Sequence, residues 1–228
     1  MYDTTIPSTY LKIIENNYKD INKSGITNTS LSRYFNDCFS NILRTSNFFS
    51  MWVCPACFAL GKPMYGWGNK PKNCPTCHMH VYQVATFQGR ASYTGDMFMY
   101  ASLYLLNESF KFKIKSTSQT TRLYDLEVSH DIVIEAKGSA LSVLNPDGSS
   151  SKLGRAGMSR SDTKKKAFAN AVEWRKRVPN GQFYIITNSL PNNLIAYHDN
   201  AVTGIYDITK KNQLDAFVSE LRRVSNGS

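Results

Sequence analysis

The stretch that decides the fold is Tyr124-Asp-Leu-Glu-Val-Ser-His-Asp-Ile-Val-Ile-Glu-Ala-Lys137. Residues 124–128 and 132–136 are rich in β-branched and other apolar side chains, which favour β-strands. The connection at residues 129–131 is short enough for a hairpin. The stretch therefore predicts two antiparallel strands that carry charged residues within an otherwise apolar pattern.

This hairpin would bring charged side chains of its two strands together. A two-residue turn at 129–130 would place Asp125 opposite Ile134 and beside Glu135, and strand alternation would put Glu135 and Lys137 on one face. Two carboxylates at such a corner supply the hard oxygen ligands that Mg²⁺ binds. A bound metal can acidify a water and stabilise charge on a phosphate, and Lys137 could orient that water. We therefore take Asp125, Glu135 and Lys137 as the candidate catalytic residues, with the two carboxylates as Mg²⁺ ligands.

The spacing of these residues resembles that of a known family. Asp125 is followed, after nine further residues, by Glu135-Ala-Lys137. This spacing is similar to the motif of the PD-(D/E)xK nuclease superfamily, and in particular of type II restriction endonucleases. That family pairs an aspartate on one hairpin strand with E-x-K on the next. The resemblance covers roughly residues 94–190. It implies a restriction-endonuclease-like core in which Asp125 and Glu135 bind metal and Lys137 is the catalytic lysine.

Alternatives stay open for this cluster. Tyr124 stands where the family has proline, so Asp131 and Glu127 compete with Asp125 for the role of first metal ligand. Asp131 lies four residues before Glu135, close to it on the same strand face if the strand is regular. E-x-K also occurs by chance, and a surface hairpin held by salt bridges is the non-catalytic alternative. Three charges on apolar strands, followed by a basic segment, favour the nuclease.

Two C-x-x-C pairs, Cys54-Pro-Ala-Cys57 and Cys74-Pro-Thr-Cys77, are separated by sixteen residues. Each pair can turn both sulfurs toward one point, and together they complete a tetrahedron around a structural Zn²⁺. The Gly- and Pro-containing segment between them cannot build a core, so the metal would stabilise the module. His78 and His80 could replace Cys77 as a ligand, and a pair of disulfides is the rival interpretation.

The chain is strongly basic, with 27 Lys and Arg against 17 Asp and Glu and a net charge of +10. Nine basic residues lie between Lys152 and Arg177 against Asp162 and Glu173, which favours binding to a polyanion such as DNA. Basic and aromatic side chains, Trp67 among them, also lie between the cysteine pairs, where they suit phosphates and bases. The residues expected to bind DNA are Lys62, Lys70, Lys72, Arg155, Arg160, Lys164, Lys165 and Lys166.

The remaining patterns predict a mixed α/β (α+β) fold, with a mixed central sheet flanked by helices and joined by at least one crossover helix. Residues 8–46 are expected to form two helices, more as a hairpin covering a core than as a helix-turn-helix. Further helices are expected at 94–106, capped by Asp96, at 161–178 and at the C-terminus. Further strands are expected at 80–87, 110–114, 183–187, 194–197 and 205–208, with a long loop at 138–157. The predicted divisions are an N-terminal helical region at 1–50, a zinc-ribbon-like module at 51–93 and a nuclease domain at 94–228.

These observations together predict a Mg²⁺-dependent endonuclease acting on double-stranded DNA, as the resemblance implies, with a sequence-specific type II restriction enzyme as the first interpretation. Cutting both strands usually needs two active sites, so a homodimer is expected. The alternatives are a DNA repair or junction-resolving nuclease and a non-catalytic zinc-ribbon DNA-binding regulator. We find neither a bilayer-spanning apolar run nor a secretion signal, and therefore expect a cytoplasmic protein without a membrane partner.

Overall fold

The computed structural model describes residues 6–45, 51–67, 70–84, 87–117, 123–144, 150–152, 155–194 and 200–226. Over these residues the chain has a mixed α+β fold with six α-helices. The helices are α1 (Ser8–Ser24), α2 (Asn28–Thr45), α3 (Pro55–Ala59), α4 (Phe87–Phe110), α5 (Ser161–Arg177) and α6 (Lys211–Asn226). The strands are β1 (Met51–Cys54), β2 (Met64–Trp67), β3 (Tyr82–Val84), β4 (Lys115–Ser116), β5 (Leu126–Ser129), β6 (Ile132–Lys137), β7 (Ser142–Leu144), β8 (Ser150–Lys152), β9 (Gln182–Thr187) and β10 (Gly204–Asp207).

A five-stranded sheet in the order β10-β9-β6-β5-β4 forms the centre of the fold. β5 is antiparallel to both β4 and β6, whereas β9 is parallel to both β6 and β10. Parallel neighbours need a long crossover connection, and α5 lies in the one between β6 and β9. The mixed sheet and the crossover helix predicted from the sequence are therefore confirmed.

Apolar side chains cover both faces of this sheet. On one face, Ile134 and Ala136 belong to a large core that includes residues of α1, α2, α4 and α6. On the other face, Val133 packs in a second core with Ala171 and Trp174 of α5. The N-terminal helices thus form the expected hairpin over a core, and that core is shared with the central sheet.

The largest departure from the predicted elements is the length of α4. The helix was expected at 94–106 but runs from Phe87 to Phe110. Of the strand predicted at 80–87, the described part is β3. The strand predicted at 110–114 was wrong, because residues 111–114 form neither helix nor strand and β4 begins at Lys115. Lys111 ends the helix with a φ of 61°. The Asn107 side chain then donates to the Ile114 carbonyl and accepts from its N–H, as a strand partner would. The helix also crosses the boundary predicted between residues 93 and 94.

Two further predictions concern the loops. The loop expected at 138–157 contains β7 and β8, which pair as a small antiparallel sheet, while residues 145–149 and 153–154 lie outside the described part. The strand expected at 194–197 falls mainly on residues 195–197, which also lie outside it. Among the described residues, none of the helices combines the length and apolar character needed to cross a membrane.

Candidate functional site

The hairpin of β5 and β6 has a different turn from the one predicted. His130 and Asp131 form the turn, so Ser129 pairs with Ile132. A β-bulge then adds one residue to β5 between Glu127 and Ser129. Bulges of this kind redirect the side chains that follow and are common beside functional sites.

The bulge sets the register at the charged end of the hairpin. Leu126 pairs with Ile134, so the predicted pairing of Asp125 with Ile134 was wrong by one residue. Asp125 directly precedes β5. Its N–H donates to the Ile134 carbonyl, and its carboxylate Oδ2 accepts a 2.8 Å hydrogen bond from the N–H of Ala136. Backbone contacts with β6 therefore hold Asp125 in place.

Lys137 bridges the two carboxylates of the hairpin. Its Nζ lies 2.5 Å from Oε1 of Glu135 and 3.5 Å from Oδ2 of Asp125. Glu135 and Lys137 are two residues apart on β6 and so share a face of the sheet. The structure thus brings the three predicted catalytic residues into one contiguous cluster.

Glu135 is the buried member of this cluster, with a side chain only 2% exposed. Asn170 of α5 donates a 3.0 Å hydrogen bond to its Oε1. Burial, reinforced by the negative charge of Asp125, raises the pKa of Glu135 to about 7 although Lys137 and Asn170 act in the opposite direction. Burial alone would lower the pKa of Lys137, but the two carboxylates raise it. Lys137 therefore stays protonated, whereas Glu135 can exchange a proton near neutral pH.

A cleft of about 320 Å³ opens beside the cluster. Asp125 and Lys137 line it, together with Asp96 of α4. Burial and the nearby Asp125 raise the pKa of Asp96. The cations Arg160 and Lys166 line the same cleft. Carboxylates and cations therefore face a common space large enough for a phosphate group and an ion.

Asp96 is a cleft residue that sequence analysis missed. We predicted it as a helix cap, but it lies in the interior of α4, which begins at Phe87. Its proximity to Asp125 depends on the packing of α4 against β6. A carboxylate within a mostly apolar helical stretch was the one signal that could have indicated this role.

The two competing metal ligands lie elsewhere. Asp131 is in the hairpin turn, at the opposite end of β6 from Lys137, and accepts a hydrogen bond from the Ser129 hydroxyl. Glu127 accepts a 3.0 Å hydrogen bond from the Tyr124 hydroxyl. Neither carboxylate is among the residues that line the cleft.

The eight basic residues predicted to bind DNA are distributed over two parts of the chain. Arg160 and Lys166 line the cleft, and Arg160 also forms a bidentate ion pair with Asp162. Near them, Arg155 and Lys165 are exposed and Lys164 is half-buried. The remaining three are exposed on the cysteine-containing module, namely Lys62, Lys70 and Lys72.

The four cysteines of the C-x-x-C pairs converge on one point, with all sulfurs within 4.8 Å of one another. Cys77 Sγ lies 3.4 Å from the sulfurs of both Cys54 and Cys57, and Cys57 Sγ lies 3.8 Å from that of Cys74. Tetrahedral zinc with Zn–S bonds of about 2.3 Å requires S···S separations of roughly 3.8 Å. The cluster therefore fits a structural zinc ion.

The backbone around the cysteines explains why these four residues converge. In the first pair, the Lys62 N–H donates to the Cys57 carbonyl. In the second, the His78 N–H donates to the Cys74 carbonyl, and His78 adopts the left-handed conformation with a φ of 61°. His78 and His80 are both exposed and are not part of the metal-binding group, and the cysteines are free thiols. The structure favours four thiolate ligands over either histidine or a disulfide pair.

Comparison of the chain with protein-family models, with curated proteins and with solved structures found no match. The chemistry of the cleft and of the cysteine cluster is therefore the basis for inferring the function of this protein.

Proposed function

We propose that this protein is a Mg²⁺-dependent endonuclease that hydrolyses phosphodiester bonds of double-stranded DNA, acting as a sequence-specific type II restriction enzyme. One observation carries the proposal: Asp125, Glu135 and Lys137 form a single ion-paired cluster beside a cleft. Arg160 and Lys166 line that cleft and supply positive charge for phosphates.

The carboxylates at the cleft are of the ligand type that Mg²⁺ binds. Asp125 and Glu135 would hold the ion; Asp125 and Asp96 line the cleft, and Glu135 is connected to it through its ion pair with Lys137. Mg²⁺ takes hard oxygen ligands of this kind and keeps several waters. When bound, it would supply an acidified water and stabilise charge on the phosphate. Burial, and secondarily the charge of Asp125, raises the pKa values of Glu135 and Asp96, and a bound cation would favour the ionised form of both groups.

The other residues of the site position groups and stabilise charge. Lys137 keeps its positive charge because two carboxylates surround it, so it can hold a phosphate oxygen or the attacking water. Asn170 orients Glu135 through its hydrogen bond. Arg160 and Lys166 would bind the DNA backbone and fix its position along the cleft.

We further propose that two chains act together on one duplex. A duplex presents two strands, and each needs its own Asp125, Glu135 and Lys137. A symmetric pair of chains supplies two such sites related by a twofold axis. The four-cysteine module would assist in holding DNA.

Cleavage of a defined plasmid, titrated with Mg²⁺ and followed by mapping of the ends, tests the proposal. Asp125→Asn, Glu135→Gln and Lys137→Ala should each lower the cleavage rate by about 100-fold or more while affecting DNA binding less, because these groups act on the transition state. Asp131→Asn and Glu127→Gln are matched controls outside the cleft and should cut normally.

Two results would contradict the proposal. Normal cleavage by both Glu135→Gln and Lys137→Ala would remove the assigned active site. DNA binding without cleavage at any Mg²⁺ concentration would favour the non-catalytic zinc-ribbon regulator instead.

A further inference from the structure

The three-stranded sheet of the cysteine module has one covered face. Its order is β2-β1-β3, with β1 antiparallel to both neighbours. Trp52 and Cys54 of β1 lie on the covered face and pack with Cys57, Cys74 and Val81. This face therefore belongs to the interior of the module.

The other face of this sheet carries two exposed tyrosines in one row. Val53 pairs with Tyr65 of β2 on one side and with Tyr82 of β3 on the other. Residues paired directly across strands share a face, so the two tyrosines flank Val53. Their side chains are 52% and 42% exposed, respectively. Two interstrand spacings put their Cα atoms on the order of 10 Å apart.

The His80 ring packs edge-on against Tyr82 at 5.1 Å between centroids, and this contact supports the orientation of that tyrosine.

The charged side chains of the module that carries these rings are those of lysines. Neither Asp nor Glu occurs between Met51 and Val84. Lys70 Nζ donates to the carbonyl of Val81, the residue before Tyr82, so a cation lies beside the backbone at the start of β3. Exposed lysines of the module are Lys62, Lys70 and Lys72. Exposed aromatic rings and cations, with no carboxylates among them, suit a nucleic acid. Its phosphates are negatively charged, and its bases have flat apolar faces.

We infer that this sheet face binds single-stranded DNA by stacking unpaired bases on Tyr65 and Tyr82. Base faces are covered by neighbouring bases in a duplex and become available when a strand is unpaired. Two rings on the outer strands of this sheet, β2 and β3, offer stacking sites for two bases of one DNA strand, and the lysines contact its phosphates. The choice of DNA over RNA rests on the proposed function, whereas the stacking surface is independent of catalysis.

Fluorescence anisotropy with labelled 12-nucleotide oligonucleotides tests this inference on the full chain, in buffer without added Mg²⁺. Tyr65→Ala/Tyr82→Ala should weaken binding of the single strand by about tenfold or more, since base stacking is lost at two positions. Tyr65→Phe/Tyr82→Phe keeps both rings and should bind as wild type does. Phe58→Ala removes a ring that is 50% exposed outside the paired row and should also bind normally.

The zinc content of each preparation shows whether the module is intact. If the double alanine variant loses zinc, binding is measured with Tyr65→Ala and Tyr82→Ala separately. Only variants that retain zinc are compared with the wild type. Unchanged binding of the single strand by zinc-loaded alanine variants would overturn the inference, as would an equal loss of affinity for the corresponding duplex in the same variants. Tighter binding of an RNA strand of the same sequence would overturn the assignment to DNA. Because Mg²⁺ is omitted, a failure of plasmid cleavage would not alter these results.

Discussion

Glu135 lies on the central strand of the sheet, where its carboxylate contacts Lys137 and Asn170. Burying a charged group costs free energy unless hydrogen bonds and an opposite charge offset that cost. Lys137 and Asn170 offset part of it, and the raised pKa of Glu135 reflects the remainder together with repulsion from Asp125. An apolar residue at this position would give a more stable protein, so a buried carboxylate here is consistent with a chemical role.

The stability of the folded protein should depend on pH through Glu135. Its pKa is about 7 in the folded state against an ordinary value of 4.5, so between these values the folded state binds the extra proton. The contribution of this residue to the free energy of unfolding should therefore fall as pH rises from about 4.5 to about 7, by at most about 1.4 kcal/mol per pH unit. Urea unfolding of wild type and Glu135→Gln across this range measures the effect. Identical pH slopes in the two proteins would contradict it.

The association of Asp125, Glu135 and Lys137 could be predicted from the sequence because it is local. Strand alternation places Glu135 and Lys137 on one face, and a short turn returns Asp125 to them. Asp96 and Asn170 could not be found in this way, since they reach the cluster through packing of α4 and α5 on the sheet. Local patterns contain no information on which distant helix will supply such a contact.

At the scale of elements, the errors concern boundaries and register. The alternation of Phe and Lys at 110–114 predicted a strand, but the preceding helix continues to Phe110 and the Asn107 side chain satisfies the Ile114 backbone. The turn at His130 and Asp131 shifts the predicted register by two residues, and the β-bulge in β5 reduces the difference to one. Both features depend on single side-chain or backbone contacts that periodicity does not encode, whereas the types of the long central elements follow from periodicity.

Replacing Gly138 or Gly95 with alanine should change the free energy of unfolding in opposite directions. A Cβ on Gly138, directly after β6, would lie 2.1 Å from the Phe98 ring of α4, so Gly138→Ala should lower the free energy of unfolding by about 1–3 kcal/mol. On Gly95, within α4, a Cβ would meet its nearest neighbour at 3.9 Å. Gly95→Ala should therefore raise the free energy of unfolding by about 0.5–1 kcal/mol through helix propensity. Chemical denaturation measures both, and destabilisation by Gly95→Ala would contradict the packing described.

The first turns of α5 should contact the phosphates of DNA. Lys166 lines the cleft, so Lys166→Ala should weaken binding to every DNA sequence and reduce the slope of log affinity against log salt by about 1. Lys165 is exposed on the same helix but does not line the cleft, which makes Lys165→Ala a matched control with a smaller effect. Binding titrations at several salt concentrations measure the slopes. An unchanged slope for Lys166→Ala would mean that its ammonium group contacts solvent alone.

At the scale of the whole molecule, the cysteine module differs from the rest of the chain in what stabilises it. The central sheet has an extensive apolar core on each face, whereas the module has a small cluster built on Trp52, Val81 and cysteines. A cluster of that size gives little hydrophobic stabilisation. The metal would provide much of the free energy that keeps β1, β2 and β3 folded.

Purified protein should contain about one Zn²⁺ per chain. Cys54→Ser or Cys74→Ser should lose the metal together with folding of the module, because each removes one of four converging thiolates. Cys38 is buried in the core shared by the helices, away from the cluster, so Cys38→Ala should keep its zinc. Elemental analysis by mass spectrometry provides the measurement. Metal-free protein with full thermal stability would contradict a structural zinc.

The parallel pairing of β6 with β9 has a consequence for synthesis of the protein on the ribosome. A nascent chain that has reached Lys137 already contains Asp96, Asp125 and Glu135, yet it lacks both Asn170 and the strand that covers the far edge of β6. Pairing between such distant segments forms late and slowly. The cluster of Asp125, Glu135, Lys137 and Asn170 is therefore completed only after translation has passed residue 187, when β9 becomes available to pair with β6.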